Sequence, residues 1–148
     1  MEDFARFAID NLKFFGASEV GVVTTKILAG GPPSADLTYL WPDAKSAIVF
    51  TVPLNQDLIP GFLKKEDQLS HERDNFQTNI IAGGLSLWGA NWARQRGIEA
   101  MPYVPNDSYR KDTPMGVLDM QPEISLRYLA VRSGLDRKST RLNSSHYS

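Results

Sequence analysis

Four polar stretches carry the residue types that chemistry needs. SHERDNF (70–76) sets His71, Glu72, Arg73 and Asp74 side by side near the start of a long periodic segment. Acids at a helix start complement its dipole, so a solvated first turn is one reading and a ligand-facing Arg73–Asp74 pair the other. PNDSYR (105–110) offers Asn106, Tyr109 and Arg110 just after an expected strand. Loops beyond the carboxyl ends of strands hold ligands in open α/β sheets, although a plain connection reads equally well. LDMQPEISLRYLAVR (118–132) puts Asp119 ahead of a helix. Asp119 is either a cap or turn former, or a proton donor whose pKa is raised by burial or ligand contact. Arg127 and Arg132, five apart, point in different directions, so at least one is a surface charge. LAGGPPS (28–34) pairs glycines with prolines, but Pro32 and Pro33 each remove a backbone donor. It matches neither a phosphate loop nor a dinucleotide fingerprint and reads first as a shaping loop.

Composition narrows the classes. With 148 residues, 42% hydrophobic and 22% charged, the chain suits one globular domain. A formal net charge of -1 supplies no bulk attraction to nucleic acid or an anionic membrane. Neither a long apolar run nor a signal-peptide pattern is present, so a cytoplasmic protein without membrane contact is expected. There are no cysteines, and the two histidines, His71 and His146, lie far apart, so no metal site is expected in this chain.

The elements that must position these groups alternate between helix and strand. Phe4, Phe7, Ala8, Leu12 and Phe15 mark a first helix, stopped by Gly16. EVGVVTT (19–25) reads as a strand, and KSAIVFTVPL (45–54) as a central strand buried on both faces that ends at Pro53. A long helix is expected over about 66–96, with small residues at 82–84 implying a close neighbour or a kink. IEAMPYVP (98–105) reads as a third strand, 106–122 as a loop, and EISLRYLAVRSGL (123–135) as a last helix behind Pro122. Trp41, Trp88 and Trp92 read as core. The pattern predicts an α/β or α+β layered domain, a central sheet flanked by helices.

GGPPSADLTYLWPDAKSAIVFTVPL, LSHERDNFQTN, PNDSYR and DMQPEISLRYLAVRSGL, in that order and spacing, resemble the N-terminal half of the epoxyqueuosine reductase-like iron–sulfur oxidoreductases, relatives of reductive dehalogenases. The resemblance covers 1–135. It implies a nitroreductase-like, cobalamin-binding domain followed by a ferredoxin-like domain with two 4Fe-4S clusters, held by cysteines that lie outside this chain. It also implies a small-molecule or modified-nucleoside substrate. Asp119-Met120-Gln121-Pro122 stands where the family has an Asp-Ser-Ala-Pro type motif, which makes Asp119 the catalytic proton donor. Arg73, Asp74, Asn106, Tyr109, Arg110 and Arg127 are the expected cofactor-binding set. The spacing from Pro122 to Arg127 is one residue longer than in the reductases themselves and brings the chain nearer to shorter relatives. A non-catalytic ligand-binding or electron-transfer module and a flavin-binding nitroreductase-type domain are the alternatives.

After Leu135 the resemblance stops. DRKSTRLNSSH (136–146) is identical, residue for residue, to one translation frame of the DNA adapter used in common short-read sequencing libraries. Residues 136–148 are therefore expected to be an artefactual, unstructured tail rather than a basic arm for nucleic acid. The domain proper is expected to be a fragment, inactive without the part that delivers electrons.

Overall fold

The computed structural model describes residues 2–103 and 124–135. The anticipated loop at 106–122 and the anticipated tail at 136–148 lie outside them. Along the chain run α1 (Glu2–Phe14), β1 (Glu19–Thr24), α2 (Thr25–Leu28), β2 (Ser46–Thr51), α3 (Ile59–Leu63), α4 (Gln68–Gln95) and α5 (Leu126–Arg132), with short 3-10 turns between. The domain is α+β: helices packed on a small antiparallel sheet of two strands.

β1 and β2 pair in antiparallel register from Glu19↔Thr51 to Thr24↔Ser46. Alternation along a strand sends successive side chains to opposite faces. Val23, Val49 and Thr51 are buried on one face, where α5 packs through Leu129 and Ala130 together with Leu28, Ala35 and Leu37. The other face meets α1 and α4 through Val20 and Phe50, which pack with Leu12, Ala82, Leu85 and Trp88. On that face Val22 and Ile48 stay open. β2 is therefore not the doubly buried strand that its apolar run suggests.

The expected third strand is absent over 98–103, where no ladder forms. Side chains of α4 take up that backbone instead. Ser86 Oγ accepts from the Tyr103 amide at 3.0 Å and lies 3.1 Å from the Tyr103 carbonyl, to which it donates. Arg94 Nε donates to the Ala100 carbonyl at 3.0 Å. A backbone already bonded to a helix has fewer groups left to extend a sheet.

α4 runs unbroken for 28 residues through the small residues at 82–84. Gly83 is buried, whereas a Cβ at Gly84 would meet nothing, so only the first faces a neighbour. α1 lies against the far end of α4. Phe4 and Phe7 stack on Trp92 at centroid distances of 4.8 and 4.6 Å, and Arg96 covers the same indole at 4.0 Å. α5 begins later than expected, at Leu126, because Ser125 caps it by accepting from the Tyr128 amide.

Gly21, opposite Val49, is a point of close approach in the sheet. A Cβ there would lie 2.6 Å from Ser133 Oγ and 3.1 Å from the Ser133 carbonyl, while that hydroxyl already donates to Ala130 at 2.7 Å. Glycine thus lets the end of α5 sit directly on β1. Gly21→Val should destabilise the fold by about 1–3 kcal/mol, the usual cost of overpacking. Urea unfolding would read this as a lowered midpoint, and an unchanged midpoint would mean that α5 does not lie on β1.

Candidate functional site

A cavity opens between the half-bare sheet face and the helices α1 and α4. Its volume is about 360 Å³, within the range of small-molecule sites. Ala8 and Leu12 line it from α1, Ile48 and Phe50 from β2, and Ala82, Leu85, Trp88 and Gly89 from α4. Leu40 and Trp41 add a wall from the loop before β2, and Met101 and Tyr103 one from the segment after α4. The small residues of α4 make the space, since each withholds a side chain that would fill it. A Cβ at Gly89 would meet nothing.

The polar contribution to this cavity is sparse. Ser46, Ser86 and Glu99 line it, and the Ser86 hydroxyl is engaged by Tyr103. Such a wall can desolvate and orient a flat, mostly apolar group. Among the described residues it presents no paired acid and base, and no group of three metal-ligating side chains occurs. Trp41 and Trp88, read from the sequence as core, are both walls of the cavity. Its small-residue floor had a signal in the glycines and alanines of α4, which reads as a close neighbour when the sequence is taken alone.

Of the expected site residues, the three described ones are placed elsewhere. Arg73 is exposed on α4. Asp74, one position on and so about 100° around the helix, is half-buried, and its Oδ2 accepts from the Asn55 amide at 2.7 Å. That bond ties α4 to the turn after β2. Arg127 is exposed on α5. None of the three lines the cavity. Asn106, Tyr109, Arg110 and Asp119 lie outside the described residues. Arg132 reaches back to the Ile27 carbonyl at 2.8 Å, and so holds α5 to α2.

The loop at 28–34 encloses a smaller recess of about 180 Å³, bounded by Thr25, Leu28, Gly31, Pro32 and Asp36. Its contacts fit the shaping role. The Ser34 carbonyl accepts from the Ser125 amide at 2.8 Å, and a Cβ at Gly31 would lie 2.8 Å from the Tyr128 hydroxyl. The loop is a seat for the start of α5.

The polar end of α4 is organised for capping. Asp67 Oδ1 accepts from the Ser70 amide at 3.1 Å. Hydrogen bonds from Ser70, with help from the Arg73 charge, hold the Asp67 carboxyl below the usual aspartate range. One turn on, His71 Nδ1 and Asn75 Oδ1 are buried without a hydrogen-bond partner among the described residues, and the His71 ring lies 4.2 Å from Phe62. A depressed carboxyl pKa stabilises the folded state above the unfolded value, and this contribution fades as pH falls through the folded one. Unfolding midpoints should thus drop more steeply below about pH 4 in the natural chain than in Asp67→Asn, which keeps a capping oxygen but no charge. Parallel acid slopes for the two proteins would refute this.

Comparison of the chain with protein-family models, with curated proteins and with solved structures finds no match.

Proposed function

We propose that this domain is the cofactor- and substrate-binding part of an iron–sulfur oxidoreductase of the epoxyqueuosine reductase-like family, acting on a small molecule or modified nucleoside in the cytoplasm. The electron-delivering clusters would belong to residues outside this chain, because cluster iron is held by thiolates and the chain has no cysteine. The observation that carries the reading is the apolar cavity of about 360 Å³ walled by Trp41, Trp88 and Tyr103. Redox cofactors with planar ring systems need such a dry, aromatic-lined slot.

The size of the cavity bears differently on the cofactors in this reading. Cobalamin, with its corrin ring, amide side chains and nucleotide tail, is far larger than this space, and among the described residues no imidazole lines the cavity to act as an axial ligand. The described residues therefore do not fit a whole cobalamin, and no step is assigned to it. A tricyclic isoalloxazine ring is closer in size and apolarity, and this favours the flavin-binding nitroreductase-type alternative as the second reading.

In the first reading Asp119 is the proposed proton donor. In the longer enzyme, Asp119→Asn should cut turnover by about 100-fold or more, the usual worth of general acid catalysis. The cofactor absorbance should persist, and unchanged turnover would end the assignment. For the cavity itself, the test is calorimetric and spectroscopic titration of the 148-residue chain with hydroxocobalamin and with FMN. Uptake of cobalamin supports the first reading and uptake of FMN the second, while binding of neither removes both cofactors. Gly89→Leu should abolish whichever uptake is seen by filling the cavity. It should also raise the melting temperature, since replacing an unstrained helical glycine contributes about 1 kcal/mol.

A further inference from the structure

Among the described residues that line the cavity, Glu99 alone carries a formal charge, and that charge is negative. No lysine, arginine or histidine of the described residues lines the space. Glu99 is exposed as well as lining, which puts it at the cavity's mouth. It lies in no helix or strand, yet α4 holds the backbone on both sides of it. The Ile98 amide donates to the Ala93 carbonyl at 3.0 Å, and the Ala100 carbonyl accepts from Arg94 Nε at 3.0 Å.

The two arginines nearest in sequence are engaged otherwise. Arg94 bonds the Ala100 carbonyl, and Arg96 lies over the Trp92 ring at 4.0 Å. Neither forms an ion pair with Glu99 among the described residues. A carboxylate with no bonded counter-ion, at the mouth of an apolar space, attracts positive charge and repels negative. Inside the mouth the walls include Trp41, Phe50, Trp88 and Tyr103. The faces of aromatic rings carry negative potential and attract cations as well. Acid and aromatic walls therefore favour the same ligand charge, while the small side chains of α4 leave room for a ring.

We propose that the cavity is selective for flat aromatic cations, ring systems that bear a protonated amine or amidine, with Glu99 as the residue that sets the preference for charge. The inference rests on the reading of the cavity as a ligand site and adds the charge of the ring that it takes. A negatively charged ring of the same shape meets the carboxylate and finds no cation in the described wall.

The test uses two probes with the same tricyclic ring and opposite charge at neutral pH, 9-aminoacridine and acridine-9-carboxylate. Each is titrated by fluorescence into the 148-residue chain. At low salt the cation should bind about tenfold more tightly than the anion, or better. Glu99→Gln, at an exposed position, should leave the circular dichroism unchanged and weaken the cation without weakening the anion, so that the ratio falls to about threefold or less. Salt at about 1 M should shrink the ratio in the natural chain and leave it as it is in Glu99→Gln, because ions screen an exposed charge. Gly89→Leu should abolish binding of both probes by filling the space. The proposal is overturned if neither probe binds, if the anion binds as tightly as the cation, or if Glu99→Gln leaves the ratio unchanged. It is equally overturned if 9-aminoacridine still binds the Gly89→Leu chain, which would place the ring outside the cavity. Failure of the cofactor reading has a different signature: FMN and hydroxocobalamin are both refused while 9-aminoacridine is taken up.

Discussion

The architecture depends on which residues α4 turns inward. Its buried positions are Thr78, Ala82, Gly83, Leu85, Ala90 and Ala93, nearly all small, while Phe76, Ile80 and Leu87 face away. A helix that buries small side chains can approach its neighbours closely where they protrude and leaves space where they do not. Both happen here. Phe4 and Phe7 reach in from α1 to stack on Trp92. Nearer the middle, where no large side chain is offered, the cavity opens.

The sheet obeys the complementary constraint. Two strands alone form a marginal sheet, so β1 and β2 depend on helices packed against both faces. On the α5 side the packing is tight because Gly21 carries no side chain and Ser133 fills the gap. Long-range bonds hold this side shut, from Arg132 to Ile27 and from Ser125 to Ser34. On the α4 side Asp74 holds Asn55 and Ser86 holds Tyr103, so the segments around the cavity are tied to one rigid helix. Of these polar side chains of α4, Ser86 lines the cavity while bonded to Tyr103, and Asp74 lies outside it. This explains why a cluster that reads as ligand-facing turns out to be structural at Asp74.

Several features were legible from residue order because they rest on local chemistry. Helix α1 and its stop follow from the spacing of Phe4, Ala8 and Leu12 and from Gly16, whose φ of 124° suits glycine. The long helix follows from its periodicity, and β1 and β2 from their β-branched runs. The third strand failed because propensity says nothing about competing side-chain partners: Ile98–Tyr103 has the right residues, but Ser86 and Arg94 take its backbone. Polar type and order suggested Arg73, Asp74 and Arg127, yet direction around a helix decides what a side chain reaches, and none of these points into the cavity.

Local sequence thus determined helices α1, α4 and α5, the two strands, the absence of thiolate ligands and the near-neutral charge. These depend on side-chain identity and on intervals of two, three and four residues. Tertiary structure alone decided that the strands pair antiparallel in a sheet of two. It also decided that Trp41 and Trp88 wall one cavity and that α4 shows its large apolar residues to the outside. Each of these is a relation between segments distant in the chain, fixed by which surfaces can approach. Gly21 beneath Ser133 is an example, a contact between residues 112 positions apart that no local pattern encodes.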